Sequence, residues 1–171
     1  MKGGNIIIQG LGGDGVLFFS KILLQIFSLN NINVVGAFTH GISQRGGHVI
    51  SFIRIDRGLS TIIPVKKADI IIFLNKEPLT EVIDIYANIN TSIIINTPVN
   101  KIYNIKMKNV FTINSNFINN KNMGVLGYII AKKILPITLD QAEDIIKKNA
   151  PREMKRNILS LYKGYKIGNI V

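Results

Sequence analysis

Three isoleucine triplets constrain this chain more than any other feature: Asn5-Ile-Ile-Ile-Gln9, Asp69-Ile-Ile-Ile-Phe-Leu74 and Ser92-Ile-Ile-Ile-Asn96. Successive side chains of a strand point to opposite faces, so a strand with one face in water alternates apolar and polar residues. An unbroken β-branched run needs cover on both faces. Strands of that kind belong to a parallel sheet held between layers of helices.

The segments between the triplets fit that reading. The first triplet opens into Gly10-Leu-Gly12-Gly13-Asp14-Gly15 and then an apolar-periodic stretch, which reads as strand, glycine turn and helix. The helix is expected from Val16 to Leu29, burying Phe19, Leu23, Ile26 and Phe27 and stopping at Asn30-Asn31. Strands are expected at 33–38 and 49–55, the second returning antiparallel, and 60–64 reads as a turn or edge piece. Residues 75–78 should start a helix carrying Leu79, Val82, Ile83 and Tyr86, and 110–113 forms a last, weaker strand. Three helices follow. The first spans 123–134 and stops at Pro136; the second opens on the capping-box spacing of Thr138 and Gln141 and ends near Asn149. The third is framed by Pro151 and Gly164, with Met154, Ile158, Leu161 and Tyr162 on one face. The fold class is therefore α/β: a three-layer α/β/α sandwich around a mostly parallel, mixed, Rossmann-like sheet, with a helical C-terminal third and residues 1–171 as a single domain.

Composition narrows the chemistry. With 47% hydrophobic residues the chain is core-rich, and with no cysteine it has no thiolate for an iron–sulfur cluster, no disulfide and no thiol nucleophile. Two histidines without metal-ligand spacing predict no metal site, and no G-x-S-x-G marks a hydrolase. The mean hydropathy of +0.27 raises the membrane question. The longest stretch free of Asp, Glu, Lys and Arg, residues 22–44, is interrupted by Gln25, Ser28, Asn30, Asn31, Asn33, His40 and Ser43, whereas a span needs about 20 predominantly apolar residues. No membrane association is expected, and the short apolar run before Ile8 does not read as an export signal, so a cytoplasmic location is expected. The net charge of +11 is uneven, with +2 in residues 1–100 and +9 in residues 101–171. The C-terminal third either faces something acidic or presents solvated basic helix faces.

Two loops carry the candidate chemistry. Gly10, Gly12 and Gly15 satisfy G-x-G-x-x-G between a strand and a helix, the context of a dinucleotide phosphate turn. That fingerprint also wants a carboxylate at the end of the second strand, and residues 33–39 contain none. A packing turn is the competing reading. Gly13-Asp14-Gly15 also copies the start of a thiamine diphosphate motif, but its partner asparagine is misplaced: Asn30-Asn31 fall at the far end of the helix, about 20 Å away at 1.5 Å per residue. The second loop is His40-Gly41-Ile42-Ser43-Gln44-Arg45-Gly46-Gly47. Arg45 offers a fixed fork of donors for a carboxylate or phosphate, and His40 is a hydrogen-bonding or acid/base group near neutral pH. The alternatives are a histidine that only orders its loop, an arginine that pairs with a partner chain, and Ser43 and Gln44 as loop caps.

Taken in order, these pieces resemble the γ subunit or γ-type domain of the 2-oxoacid:ferredoxin oxidoreductases, in particular the indolepyruvate branch. The glycine turn and the loop from His40 to Gly47 match, followed by Val49, Ser51 and Arg54, then Ala68-Asp69, Glu77-Pro78-Leu79 and Asn96-Thr97. Residues 122–127 and 157–164 complete the set. Asp14 stands where the family usually has Gln, and Lys76 where it has an apolar residue. The resemblance implies a subunit that completes or gates an active site, with thiamine diphosphate, Mg²⁺, iron–sulfur clusters and coenzyme A on the complex and none bound by this chain alone. It implies thiamine-binding and ferredoxin-like sister subunits, ferredoxin as acceptor, and no nucleic acid. Its substrate-proximal or interface residues would be His40, Gly41, Ser43, Gln44, Arg45, Gly46 and Gly47. A free-standing dinucleotide-binding module is the alternative.

Overall fold

The computed structural model describes residues 3–40, 47–76, 78, 80–97, 107–150 and 152–170. Its strands are β1 (Gly4–Leu11), β2 (Val34–His40), β3 (His48–Ile55), β4 (Ile70–Phe73), β5 (Ser92–Asn96) and β6 (Asn109–Ile113). The helices are α1 (Val16–Leu29), α2 (Thr80–Tyr86), α3 (Lys121–Ala131), α4 (Leu139–Asn149) and α5 (Met154–Ile170).

The strands form one sheet in the order β2-β3-β1-β4-β5-β6. β1, β4, β5 and β6 are mutually parallel, and β3 is antiparallel to both of its neighbours. The helix α1 therefore carries the chain from β1 over the slot that β3 fills.

The isoleucine triplets divide between the two faces as their alternation requires. Ile6, Ile8, Ile70, Ile72 and Ile94 enter a core closed by α1, α3, α4 and α5. Ile7, Ile71, Phe73, Ile93 and Ile95 enter a second core closed by Val82, Ile83 and Ala87 at α2 and by Ile63. Most members of both cores are fully excluded from solvent, and burying one such side chain contributes about 1.5–3 kcal/mol.

α1 ends as read, at Asn30. Asn31 takes φ 55°, and the bonds from Asn31 N–H to the Ser28 carbonyl and from Ile32 N–H to the Phe27 carbonyl close a Schellman motif. Thr138 and Gln141 form the capping box of α4 as their spacing implied.

Three expectations are corrected. α2 starts at Thr80 and not within 75–78, because Pro78 stays outside the helix; Leu79 lies outside the described residues. α3 stops at Ala131, before Ile134, in a second Schellman turn with Lys133 at φ 53°. α5 runs through Gly164 to Ile170, and its buried stripe is Asn157, Ser160, Leu161, Gly164 and Gly168, with Tyr162 exposed. Gly164 is a contact residue and not a helix stop. A Cβ there would sit 1.8 Å from the Gly124 carbonyl oxygen, and one on Gly127 would sit 1.9 Å from that of Leu161. Glycine lets the backbones of α3 and α5 touch.

Candidate functional site

The parallel strands β1, β4, β5 and β6 end at one edge of the sheet, and the connections that leave β1 and β4 there run in opposite directions: from β1 to α1 and β2 on one side, from β4 to α2 and β5 on the other. An open α/β sheet places its crevice at such a point. The glycine turn stands at this edge. Gly10 pairs with Val49 one residue before β1 ends, Gly13 takes φ 100°, and Gly15 takes φ 80° as the N-cap of α1. Any side chain on Gly15 would also collide with Asn122, whose Nδ2 lies 3.4 Å from the Gly15 carbonyl oxygen.

The structure sets the two flanking residues of the second motif beside the first. His40 ends β2 opposite Val49, so the loop that follows leaves from the same edge as the glycine turn. Its far end is pinned to that turn: Gly12 N–H donates to the Gly47 carbonyl at 3.0 Å. Gly41, Ser43, Gln44, Arg45 and Gly46 lie outside the described residues.

Asp14 turns its charge inward. Its carboxylate folds back into the turn, where Oδ2 accepts from Leu11 N–H at 2.7 Å and from Asn75 Nδ2 at 3.2 Å. Asp14 N–H in turn donates to the Leu11 carbonyl at 3.0 Å. The N–H groups of Leu11, Gly12 and Asp14 are thereby used internally, and the carboxylate supplies the negative charge favoured near a helix N-terminus. A dinucleotide pyrophosphate would meet a turn already carrying its own anion, and β2 (VVGAFTH) ends without a ribose-binding carboxylate.

Beyond Asp14 the edge is built from amides and hydroxyls. Asn96 closes β5 and ties its neighbours: Nδ2 donates to the Leu74 carbonyl at 2.9 Å, and Oδ1 accepts from the Ser115 hydroxyl at 2.6 Å and from Ser115 N–H at 3.3 Å. Asn120 Nδ2 donates to Asn157 Oδ1, and Asn120 N–H donates to the Ser160 hydroxyl at 3.1 Å, fixing the start of α3 to α5. The fully buried Gln9 places its Nε2 2.8 Å from Nδ1 of His48 at the start of β3. In the sequence, Asn96, Asn122 and Asn157 stood out only as pieces of a resemblance. An amide that ends an apolar strand is the sequence signal that marks Asn96. Nothing in the sequence paired it with Ser115.

Displaced ionisations lie elsewhere among the described residues. On α4 and α5, Lys147 and then Tyr162 hold the Glu143 carboxyl below the usual range by hydrogen bonding, and the bond to Glu143 raises the Tyr162 hydroxyl. Burial raises Tyr128 on α3. The chain has no cysteine, no three acidic, histidine or cysteine side chains cluster for a metal among the described residues, and Asp14 is committed to the turn.

A mixed sheet with one inserted antiparallel strand and a glycine turn bonded to Gly47 defines an open α/β domain with its candidate site at the strand ends. The profile of the pyruvate ferredoxin/flavodoxin oxidoreductase family matches residues 5–167, and the chain belongs to that family as its γ-type domain. Indolepyruvate oxidoreductase subunit IorB of Archaeoglobus fulgidus is 38% identical over 93 residues, covering 54% of this chain and 46% of that protein. IorB of Methanothermobacter thermautotrophicus is 40% identical over 75 residues, 44% of this chain and 37% of that protein. The matched stretches thus span less than half of those relatives. Among solved structures, the pyruvate oxidoreductase subunit PORC of Thermotoga maritima superposes with a TM-score of 0.76 at 19% identity, covering 97% of each chain. The 2-oxoglutarate:ferredoxin oxidoreductase of Magnetococcus marinus gives 0.79 at 15% identity, covering all of this chain but 32% of that one. No helix of the described residues is long and apolar enough to cross a membrane.

Proposed function

We propose that this chain is a subunit of a thiamine diphosphate-dependent 2-oxoacid:ferredoxin oxidoreductase, completing or gating an active site whose cofactors sit on sister subunits. The reaction is oxidative decarboxylation: a 2-oxoacid and coenzyme A give the acyl-CoA and CO₂, and two electrons pass through iron–sulfur clusters to ferredoxin. Indolepyruvate or another aryl pyruvate is the substrate favoured by the likeness to the two IorB proteins. The observation that supports the reading is the 3.0 Å bond from Gly12 to Gly47, which ties the glycine turn to the last residue of the 40–47 motif at the crevice edge. At that edge the loop, through Arg45 with His40, Ser43 and Gln44, meets a carboxylate or phosphate of the substrate, a cofactor or a sister chain. Asp14 and Asn75 hold the turn to which Gly47 is bonded.

Reconstitution with the sister subunits tests the reading. Viologen reduction should require this chain, should favour indolepyruvate over pyruvate and 2-oxoglutarate, and should fall at least tenfold in Arg45→Gln. Activity undiminished when this chain is omitted would refute it.

A further inference from the structure

At the opposite edge of the sheet, where β1 and β4 begin and β3 ends, lies a cavity of about 690 Å³ lined by four cations and one carboxylate. The eight residues of β1 separate it from the glycine turn by roughly 20–25 Å at about 3.3 Å per residue. We infer that this cavity is a second site, one that binds the di- or triphosphate group of a small molecule.

Its walls are prepared for an anion in three ways. First, the carbonyls that would line it are already taken: Asn88 Nδ2 donates to Lys66, Asn5 Nδ2 donates to Lys67, and the Thr91 hydroxyl donates to Ala68, at 2.9, 2.6 and 2.7 Å. Side-chain amides and a hydroxyl thus remove the negative ends of three consecutive peptides. Second, the single lining carboxylate, Asp69, turns Oδ2 onto Asn5 N–H at 2.8 Å and makes no ion pair among the described residues. Third, the Arg54 guanidinium is oriented before any ligand arrives. Its Nε donates to Asn5 Oδ1 at 3.3 Å and its Nη1 to the Ser60 carbonyl at 2.8 Å, and Nη2 has no partner among the described residues. A planar fork held in this way suits phosphate oxygens.

Lys66, Lys67 and Arg57 complete the rim. Lys66 holds a left-handed backbone at φ 59°, unusual for a residue with a long side chain. Its ammonium is anchored on the Asp84 carbonyl, and Arg57 lies against Gly3. Four like charges around one concavity repel one another, and a multivalent anion relieves that repulsion. The volume falls in the range of small-ligand pockets, and only Pro64 and Ile89 among the lining residues are apolar, unlike the apolar, aromatic centre of a protein interface.

The test uses the full chain and the chain assembled with its sister subunits, at 150 mM salt, with inorganic pyrophosphate and ATP as separate probes followed by calorimetry and ³¹P line width. Binding of both probes is expected in both preparations. ATP tighter than pyrophosphate would identify a nucleotide, and equal affinity a free polyphosphate; either supports the site. Lys67→Glu and Arg57→Glu, both exposed, should raise Kd at least tenfold, and Arg54→Gln as much. Lys148→Glu on α4 should leave Kd within twofold. The inference is overturned if neither probe binds, if Lys148→Glu weakens binding as much as Lys67→Glu, or if the assembled complex excludes both probes because an acidic surface of a sister chain covers the cavity. Should Arg54→Gln fail to fold, the two exposed variants decide the question.

Discussion

Gly164→Ala gives the most direct test of how α3 and α5 are joined. The new Cβ would lie 1.8 Å from the Gly124 carbonyl oxygen and 2.6 Å from its carbon, and contacts under 3.0 Å do not occur at a real Cβ. Both opposing atoms are backbone, so no rotamer change relieves the clash, and the helices must part by at least 3.0 − 1.8 = 1.2 Å. Overpacking of this kind costs about 1–3 kcal/mol when side chains can adjust, and more when they cannot. Against this, alanine gains about 1 kcal/mol over glycine in a helix interior. Parting the helices also strains the Asn120–Asn157 and Asn120–Ser160 bonds at the start of α3. A net loss of about 2–4 kcal/mol follows. At roughly 2 kcal/mol per molar for a domain of this size, the urea midpoint should fall by about 1–2 M. Gly168→Ala, whose Cβ would meet the Ala131 methyl at 2.6 Å and the Tyr128 carbonyl at 3.1 Å, should cost less. A Gly164→Ala midpoint equal to or above that of the parent chain would refute the close backbone contact.

The remaining predictions concern the crevice and the basic face. Asp14→Ala leaves Leu11 N–H without its acceptor and should cost about 1–3 kcal/mol by urea denaturation, with faster amide exchange at Leu11; unchanged exchange would count against the folded-back carboxylate. Asn96→Ala removes ties to the Leu74 carbonyl and to Ser115 at a residue 7% exposed and should cost about 2–3 kcal/mol, whereas Ser115→Ala should cost about 1 kcal/mol; equal losses would contradict the central place of Asn96. Tyr162→Phe deletes the 2.7 Å bond to Glu143 and should raise that carboxyl toward its ordinary value in an NMR titration. Because Glu143 is depressed when folded, the tie between α4 and α5 is fully present above the ordinary carboxylate range and fades as pH falls through the folded pKa; a Glu143 titration identical in the variant would refute the assignment. For docking to an acidic partner, Lys148→Glu with Arg152→Glu should slow ferredoxin reduction more than Lys147→Glu, since Lys147 is paired with Glu143 at 2.7 Å; equal effects at low salt would sink that ordering.

The sheet was the most legible part of the chain because its signal is local. Each isoleucine triplet declares two covered faces within a few residues, and the two cores are built from alternate members of those triplets. The end of α1 was legible for the same reason, since asparagine tolerates the left-handed backbone that Asn31 adopts. The end of α3 was not, because Lys133 adopts the same conformation with no side-chain preference to announce it. Gly164 misled because a glycine near the end of a periodic run reads as a stop, while the reason for it is a backbone on another helix, 40 residues away. Within the site, Gly10, Gly12, Gly13, Asp14 and Gly15 were legible as a turn. That Asp14 turns inward onto Leu11 and Asn75 depends on where β4 ends, and a linear pattern does not carry that information.

The antiparallel β3 has a further consequence. It is hydrogen-bonded on both sides, from Gly4 opposite Ile55 to Leu11 opposite His48 on one, and from Val34 opposite Ile55 to His40 opposite Val49 on the other. A one-residue slip would turn Ile53 and Ile55 out of their core and would also carry Gly47 away from Gly12. Both ends of the 40–47 loop are therefore indexed by a strand buried in the sheet. The sheet thus works as a ruler, setting His40 and Gly47 at fixed places relative to the glycine turn.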